Sequence, residues 1–366
     1  MQRINIADTR LTEEEIAAAV AVLRSGQLRQ GKECEAFEQA FAARIGSRHG
    51  CAIASGTAAL HLAYLTFLQP GEEVLVPSFT FFATASAVNL SGGVPVFCDV
   101  DPHTFLIDLA DAERRITERT RAICPVHLFG NVCDIAAMED FARRHKLTVV
   151  WDAAQAHGAT LHGKGLGACE GPVCYSFYPT KNVFVGEGGM TCTNDDATLE
   201  LLRSLRSHGE SQRYLHTRIG FNYRMTDIEA AIGHAQLARL DTMLAARRRN
   251  AGVLRERLGN VPGLRLQRIT PAAEHAWHQF CIVVDAAAFG CDRDALAKRL
   301  HEAGIGTGIH YPRGLHQQPV YQQLYGALSL PATEELAAHI LALPVHHAMS
   351  EADAQRVADA VLAARK

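Results

Sequence analysis

The sequence predicts an α/β fold: a large domain on a mostly parallel sheet with helices on both faces, then a smaller α+β domain. Three observations predict it. Short apolar runs alternate with helical patterns along most of the chain. Two long stretches, 50–71 and 74–98, hold no Asp, Glu, Lys or Arg, as a core buried on both faces requires. Hydrophobic residues make up 48% of the 366, enough for a large core and two domains.

The apolar runs 51–54, 74–76, 94–98, 122–125, 148–151 and 173–177 read as strands. Between them, 57–68, 82–90, 135–145 and 199–207 read as helices. A long helical pattern over 227–246 leads out of the first domain. Beyond it, 276–284 and 343–345 read as strands, 293–303 as a helix, and 351–364 as an amphipathic closing helix. The expected organisation is a segment 1–25 packing on the small domain, a large domain 26–246 and a small domain 247–366.

Composition excludes several classes. A formal net charge of −3 gives no whole-chain attraction to nucleic acid or anionic membrane. The densest basic run, Arg247-Arg-Arg249, reads as a solvated helix face. Ten cysteines without a Cys-x-x-Cys pair fit reduced thiols and a cytoplasmic location, not a disulfide frame or zinc site. The pairs His310/His316 and His346/His347 lack acid or thiol partners at ligand spacing, so no metal is expected. The N-terminus has no apolar secretory core. Ser, Thr, Gly and Pro break up both uncharged stretches, so no bilayer span is expected.

The chemistry centres on Lys181, in Ser176-Phe-Tyr-Pro-Thr-Lys-Asn182, and on Asp152, in Asp152-Ala-Ala-Gln155 after a buried strand. A lysine amine can hold an aldehyde cofactor as a Schiff base. A carboxylate can keep that cofactor's pyridine nitrogen protonated. Together they point to pyridoxal 5′-phosphate (PLP). Ser55-Gly-Thr-Ala-Ala-Leu60 lies between a strand and a helix, where free N–H groups and the helix dipole bind phosphate. Gly56 allows close approach and Thr57 adds a hydroxyl; a plain N-cap is the competing reading. In Pro77-Ser-Phe-Thr-Phe-Phe-Ala-Thr84, Phe81 is the candidate to stack on a flat ring, with Phe79 and Phe82 assigned to the core. Gln155 can reach the ring's phenolic oxygen, and Ser176 is a second phosphate contact. Gly220-Phe-Asn-Tyr-Arg-Met-Thr-Asp227 ends in a helix start, and its Asn222 and Arg224 precede that start as functional or merely surface residues. A nicotinamide-binding reading would need Gly-x-Gly-x-x-Gly after the first strand, which Ser55-Gly-Thr57 does not supply.

In this order, these motifs resemble the PLP-dependent sugar aminotransferases called the DegT/DnrJ/EryC1/StrS family. The likeness runs from Gln30-Gly-Lys32 through the motifs above, Pro125-Val-His-Leu-Phe-Gly130, Asp152-Ala-Ala-Gln-Ala-His-Gly158 and Gly186-Glu-Gly-Gly-Met190 to Ile309-His-Tyr-Pro312. It implies the type I PLP-dependent transferase fold and a homodimer with shared active sites. It implies Lys181 as the cofactor lysine, Asp152 at the ring nitrogen, Phe81 as the stacking aromatic, and Gly56, Thr57 and Ser176 as phosphate contacts. Asn222 resembles an asparagine given by the neighbouring subunit. His310, Tyr311 and His316 fall in a segment that helps line the family's sugar and nucleotide pocket. Many relatives carry proline after Tyr-Pro-x; here the chain reads Tyr311-Pro-Arg-Gly314, and Arg313 either meets a diphosphate or faces solvent. The implied reaction moves nitrogen from glutamate to a nucleotide-linked keto-sugar, with a 4-keto-6-deoxyhexose as the expected acceptor. A keto-cyclitol acceptor, a sugar dehydratase and a non-catalytic regulator are the alternatives. Lys181 argues against the dehydratases, in which histidine replaces that lysine.

Overall fold

The computed structural model describes residues 3–365. Its large sheet has the strand order Val94–Cys98, Glu73–Pro77, Thr120–Ile123, the run 148–152, Val173–Ser176, Gly189–Thr193 and His49–Ile53. The run 148–152 is recorded as two short strands, Thr148–Val149 and Trp151–Asp152, joined through Val150. It bonds on one side through Val150 N–H to Ile123 and on the other through Trp151 N–H to Pro172. Only Gly189–Thr193 runs against the rest, pairing antiparallel with both neighbours. The remaining pairings are parallel.

Side-chain alternation explains why uncharged strands suit this sheet. Leu75 enters the core cluster on one face, with Phe37, Phe41, Trp151 and Phe177. Its neighbours Val74 and Val76 enter the other, with Leu62, Tyr64 and Leu202. Nine of the ten cysteines are buried, Cys291 alone being partly open.

A second, antiparallel sheet joins Leu264–Leu266, Phe280–Val284 and Ile340–Leu343. The helices Arg293–Glu302 and Glu351–Ala363 and the long helix Leu240–Leu258 close a separate apolar cluster over it. Of the N-terminal segment expected on this part, residue Ile4 lies there, bridged to Ile305. Residues 1 and 2 lie outside the described residues. The helix Glu13–Ser25 instead packs on the helix Asp227–Leu237.

Two further expectations need correction. The helix read over 227–246 is two helices, Asp227–Leu237 and Leu240–Leu258. Tertiary contacts hold the junction: Gln236 Oε1 accepts from Phe184 N–H, and Arg239 bonds Glu15. Arg247, assigned to a solvated face, is 4% exposed. Its guanidinium points inward to the carbonyls of Trp277 and His278.

The Gly-Lys motif near residue 31 also finds its reason. Asp227 accepts N–H bonds from Gly31 (2.7 Å) and Cys34 (3.1 Å), capping the helix Lys32–Ile45 from across the chain. A Cβ at position 31 would meet Asp227 Oδ2 at 2.8 Å, so any larger residue there would push on the capping carboxylate. Asp227→Ala is expected to cost about 1–2 kcal/mol, the range for a lost N-cap, read as a lower urea midpoint. No helix among the described residues is long and apolar enough to cross a membrane.

Candidate active site

The strands of the large sheet deliver the candidate residues at their carboxyl ends, where open α/β sheets bind ligands. Asp152 ends the run 148–152 and Ser176 ends Val173–Ser176. Ser55 follows His49–Ile53 and caps the helix Gly56–Leu65 by accepting from Ala58 N–H. That bond leaves the Gly56 and Thr57 amides of the first turn for an anion. Gly56 sits against Ser176: a Cβ on it would lie 2.6 Å from Ser176 Cβ. The structure thus brings Gly56, at the start of the helix with Thr57, against Ser176.

Lys181 is half-buried, in the loop that follows the strand Val173–Ser176. Burial brings its amine down to about 8, against a smaller upward pull from Asp152. Asp152 is buried, and burial raises its carboxyl. Thr84 Oγ1 donates to Asp152 Oδ2 at 2.8 Å and Ala154 N–H to Oδ1 at 3.1 Å, which favour the ionised form. Lys181 and Asp152 influence each other yet form no ion pair within 4.0 Å. Phe81 borders this region with its ring 57% exposed, tilted 41° to Tyr311 at 6.2 Å. An exposed aromatic, a buried carboxylate, a low-affinity amine and a helix start against Ser176 fit PLP.

The other candidates divide. Gln155 is held at both ends: Phe129 N–H donates to its Oε1, and its Nε2 bonds the Tyr311 hydroxyl. Tyr311 thus lies beside the cleft through Gln155 and the rings of Phe79 and Phe81. His310 is partly open, its Nδ1 buried without a partner, and burial and Lys181 both lower its proton affinity. His316 is fully committed inside the chain, with Nδ1 on Ser78 Oγ and Nε2 on Glu334. It holds the segment after Tyr311 against the strand end at Ser78. Arg313 is exposed. Asn222 is exposed too, in a stretch bridged to Ser207, with no side-chain hydrogen bond among the described residues. Phe82, assigned to the core, is 40% exposed and packs on Tyr321 at 5.3 Å.

Two residues were missed. His127 stacks on Trp151 with planes parallel at 5.2 Å, and its N–H bonds the carbonyl of Asp152. Thr84 closes a motif read only for its aromatics, although a threonine one helical turn past Phe81 was visible as a potential donor. Thr84→Val is expected to raise the Asp152 carboxyl further. If ionised Asp152 is needed, the acid limb of the pH–rate profile moves to higher pH. The loss is confined to the acid side of the profile, about tenfold there, with alkaline rates near normal.

Residues 9–362 match the model of the DegT/DnrJ/EryC1/StrS aminotransferase family. The chain belongs to this family. Its members are PLP-dependent, and the helix start, lysine and carboxylate above mark this chain as a PLP-dependent aminotransferase. A pleiotropic regulatory protein of Geobacillus stearothermophilus is 38% identical to it over 93% of this chain and 91% of its own. The structure of DesV of S. venezuelae, in complex with a ketimine intermediate, is 37% identical, with a TM-score of 0.94 over 99% of this chain and 98% of that one. DesI, solved in the presence of its TDP-sugar product, is 30% identical, with a TM-score of 0.91 over 100% and 93%. The aminotransferase therefore has the type I PLP-dependent transferase fold that its sequence implied.

Proposed function

We propose that this aminotransferase moves the amino group of glutamate to the keto carbon of a nucleotide-linked 4-keto-6-deoxyhexose. It acts in the cytoplasm as a homodimer with shared sites. One observation carries the reading: a half-buried Lys181, its amine lowered to about 8, and the buried Asp152 carboxylate feel each other's charge without forming an ion pair. Bound PLP supplies an electron sink that acidifies the donor's α-carbon. Asp152, steadied by Thr84, holds the ring nitrogen protonated, and Phe81 and Gln155 fix the ring's plane and edge. Gly56, Thr57 and Ser176 hold the phosphate. Once released, Lys181 Nζ takes the proton from the donor's α-carbon, and its lowered affinity keeps enough of it neutral to do so at ordinary pH.

The acceptor class rests on DesI, with its TDP-sugar product, and on Arg313, exposed beyond Tyr311 where a guanidinium can fork onto a diphosphate. His310 and Tyr311 line the sugar's approach, and His316 supports their loop. Asn222 completes the neighbouring subunit's cradle, consistent with its free, outward side chain. We keep a large domain 26–246 and a small domain 247–366 for this reading, with the helix Leu240–Leu258 carrying the chain across that boundary.

A regulatory role is the second reading, favoured by the name of the 38% identical relative. Titrating the PLP-loaded protein with glutamate separates the two. Loss of the lysine-bound cofactor's absorbance with growth of the aminated form supports the aminotransferase. Adding a nucleotide-linked 4-keto-6-deoxyhexose should then reverse the change. An unchanged spectrum favours the regulator. Reversal only by a keto-cyclitol replaces the sugar.

A further inference from the structure

Arg247 is a buried charge without a counter-charge. Its neighbours on the helix Leu240–Leu258 turn elsewhere: Arg248 pairs with Glu274 at 2.8 Å, and Arg249 bonds Met349's carbonyl. Arg247 Nη1 donates to the carbonyls of Trp277 (3.0 Å) and His278 (3.4 Å). Its Nε is buried without a partner, and Nη2 makes no hydrogen bond among the described residues. No carboxylate lies within 4.0 Å of the guanidinium among those residues, and burial alone lowers its affinity to about 10. The idle Nε/Nη2 edge is the one that offers two parallel N–H donors to a carboxylate.

Arg247 is tied to the lysine loop through residues 276–278. Asn182, next to Lys181, donates to the carbonyl of Ala276 at 2.8 Å. Three consecutive residues, 276–278, are thus gripped by the lysine loop at one end and Arg247 at the other. His278 is enclosed with an unpartnered Nδ1, and both ring nitrogens of His157 are buried without partners. Lys181 and Arg247 both disfavour charging these two imidazoles. These buried polar atoms have no partner and no acid of the described chain pairs with Arg247. A buried guanidinium left in that state is costly, and an anion removes the cost.

We propose that Arg247, with His278, forms the subsite for a carboxylate of the amino donor. This rests on the aminotransferase reading and supplies what that reading lacks, a place for the amino acid. A carboxylate fits better than a diphosphate. An amino acid that presents its α-carbon to Lys181 carries its carboxylates within a few bonds of that point, toward the buried Arg247. A nucleotide's diphosphate lies a sugar ring away from the keto carbon, toward the exposed Arg313.

The test compares Arg247→Gln and Arg247→Lys with the parent, all PLP-loaded. Glutamate is titrated by cofactor absorbance, and glutarate, which has no amino group, is titrated by calorimetry. Arg247→Gln is expected to weaken both by about tenfold or more, with the maximal rate of the glutamate half-reaction within about threefold. Arg247→Lys, which keeps the charge but not the fork, falls between. Unchanged glutamate and glutarate constants in a folded, cofactor-bound Arg247→Gln overturn the proposal and leave Arg247 a support for residues 276–278. Should that variant fail to fold, His278→Asn decides, because it keeps the backbone carbonyl that Arg247 grips. An altered glutarate constant there sustains the subsite, and an unaltered one removes it. A parent protein inert to glutamate refutes the aminotransferase reading, whereas Arg247-dependent glutarate binding by that same protein still upholds the anion site.

Discussion

Lys181→Ala is expected to abolish turnover. Losing the proton carrier alone costs about 10²–10⁴-fold, and losing the cofactor's covalent anchor adds to it. The chain should still fold, since the substitution removes an amine whose charged form the cleft disfavours. Linkage gives that statement a sign. Without cofactor, the native lysine has an affinity near 8, below the ordinary 10.5. Between those values the unfolded chain binds more protons than the native one, so stability rises with pH across that window. Below it the lysine carries its full penalty. Lys181→Met should therefore match or exceed the parent's stability at neutral pH and lose that advantage as pH passes 10.5. Urea unfolding at pH 7 and 10.5 checks the slope. Normal turnover by Lys181→Ala would sink the site assignment.

Asp152→Asn is the second large effect. The amide keeps size and still offers Thr84 an acceptor, but it cannot hold a proton on a pyridine nitrogen by charge. Removing one fixed, preorganised charge of this kind typically costs about 10²–10³-fold in rate. Cofactor affinity should change far less, because the cradle at Gly56, Thr57 and Ser176 is untouched. Single-turnover rates against cofactor titration separate the two quantities. A variant with near-parental rate would strip Asp152 of its role. The contrast with Thr84→Val is diagnostic: that change shifts the pH profile, whereas Asp152→Asn lowers the rate at every pH.

Much of this was readable from sequence because the information is local. Uncharged runs ending in Ser55, Asp152 and Ser176 mark buried strands and their ligand-bearing ends, and these run where expected. Strand direction was not readable: nothing in Gly189–Thr193 announces that it runs against its neighbours. The break before Leu240 was invisible because Gln236, Leu237, Ala238 and Arg239 are all good helix formers. Glu15 and Phe184, far away in sequence, hold that junction. Arg247 was misread for the same reason. Three successive arginines suggest a wet face, and only the distant carbonyls of Trp277 and His278 turn one of them inward. Asp152 was found from its spacing to Lys181, whereas Thr84, which steadies it, comes from the start of the helix Ala83–Leu90.

The sealed thiols give the molecule a built-in clock. Burial pushes the buried cysteine thiols upward, away from the reactive thiolate form. In the intact protein a thiol reagent can reach little beyond Cys291. Each further modification must wait for the structure around that cysteine to open. Because Cys281 sits on the small sheet and Cys51, Cys124 and Cys174 on or beside strands of the large one, residue-resolved labelling times would show whether the two sheets breathe together or apart.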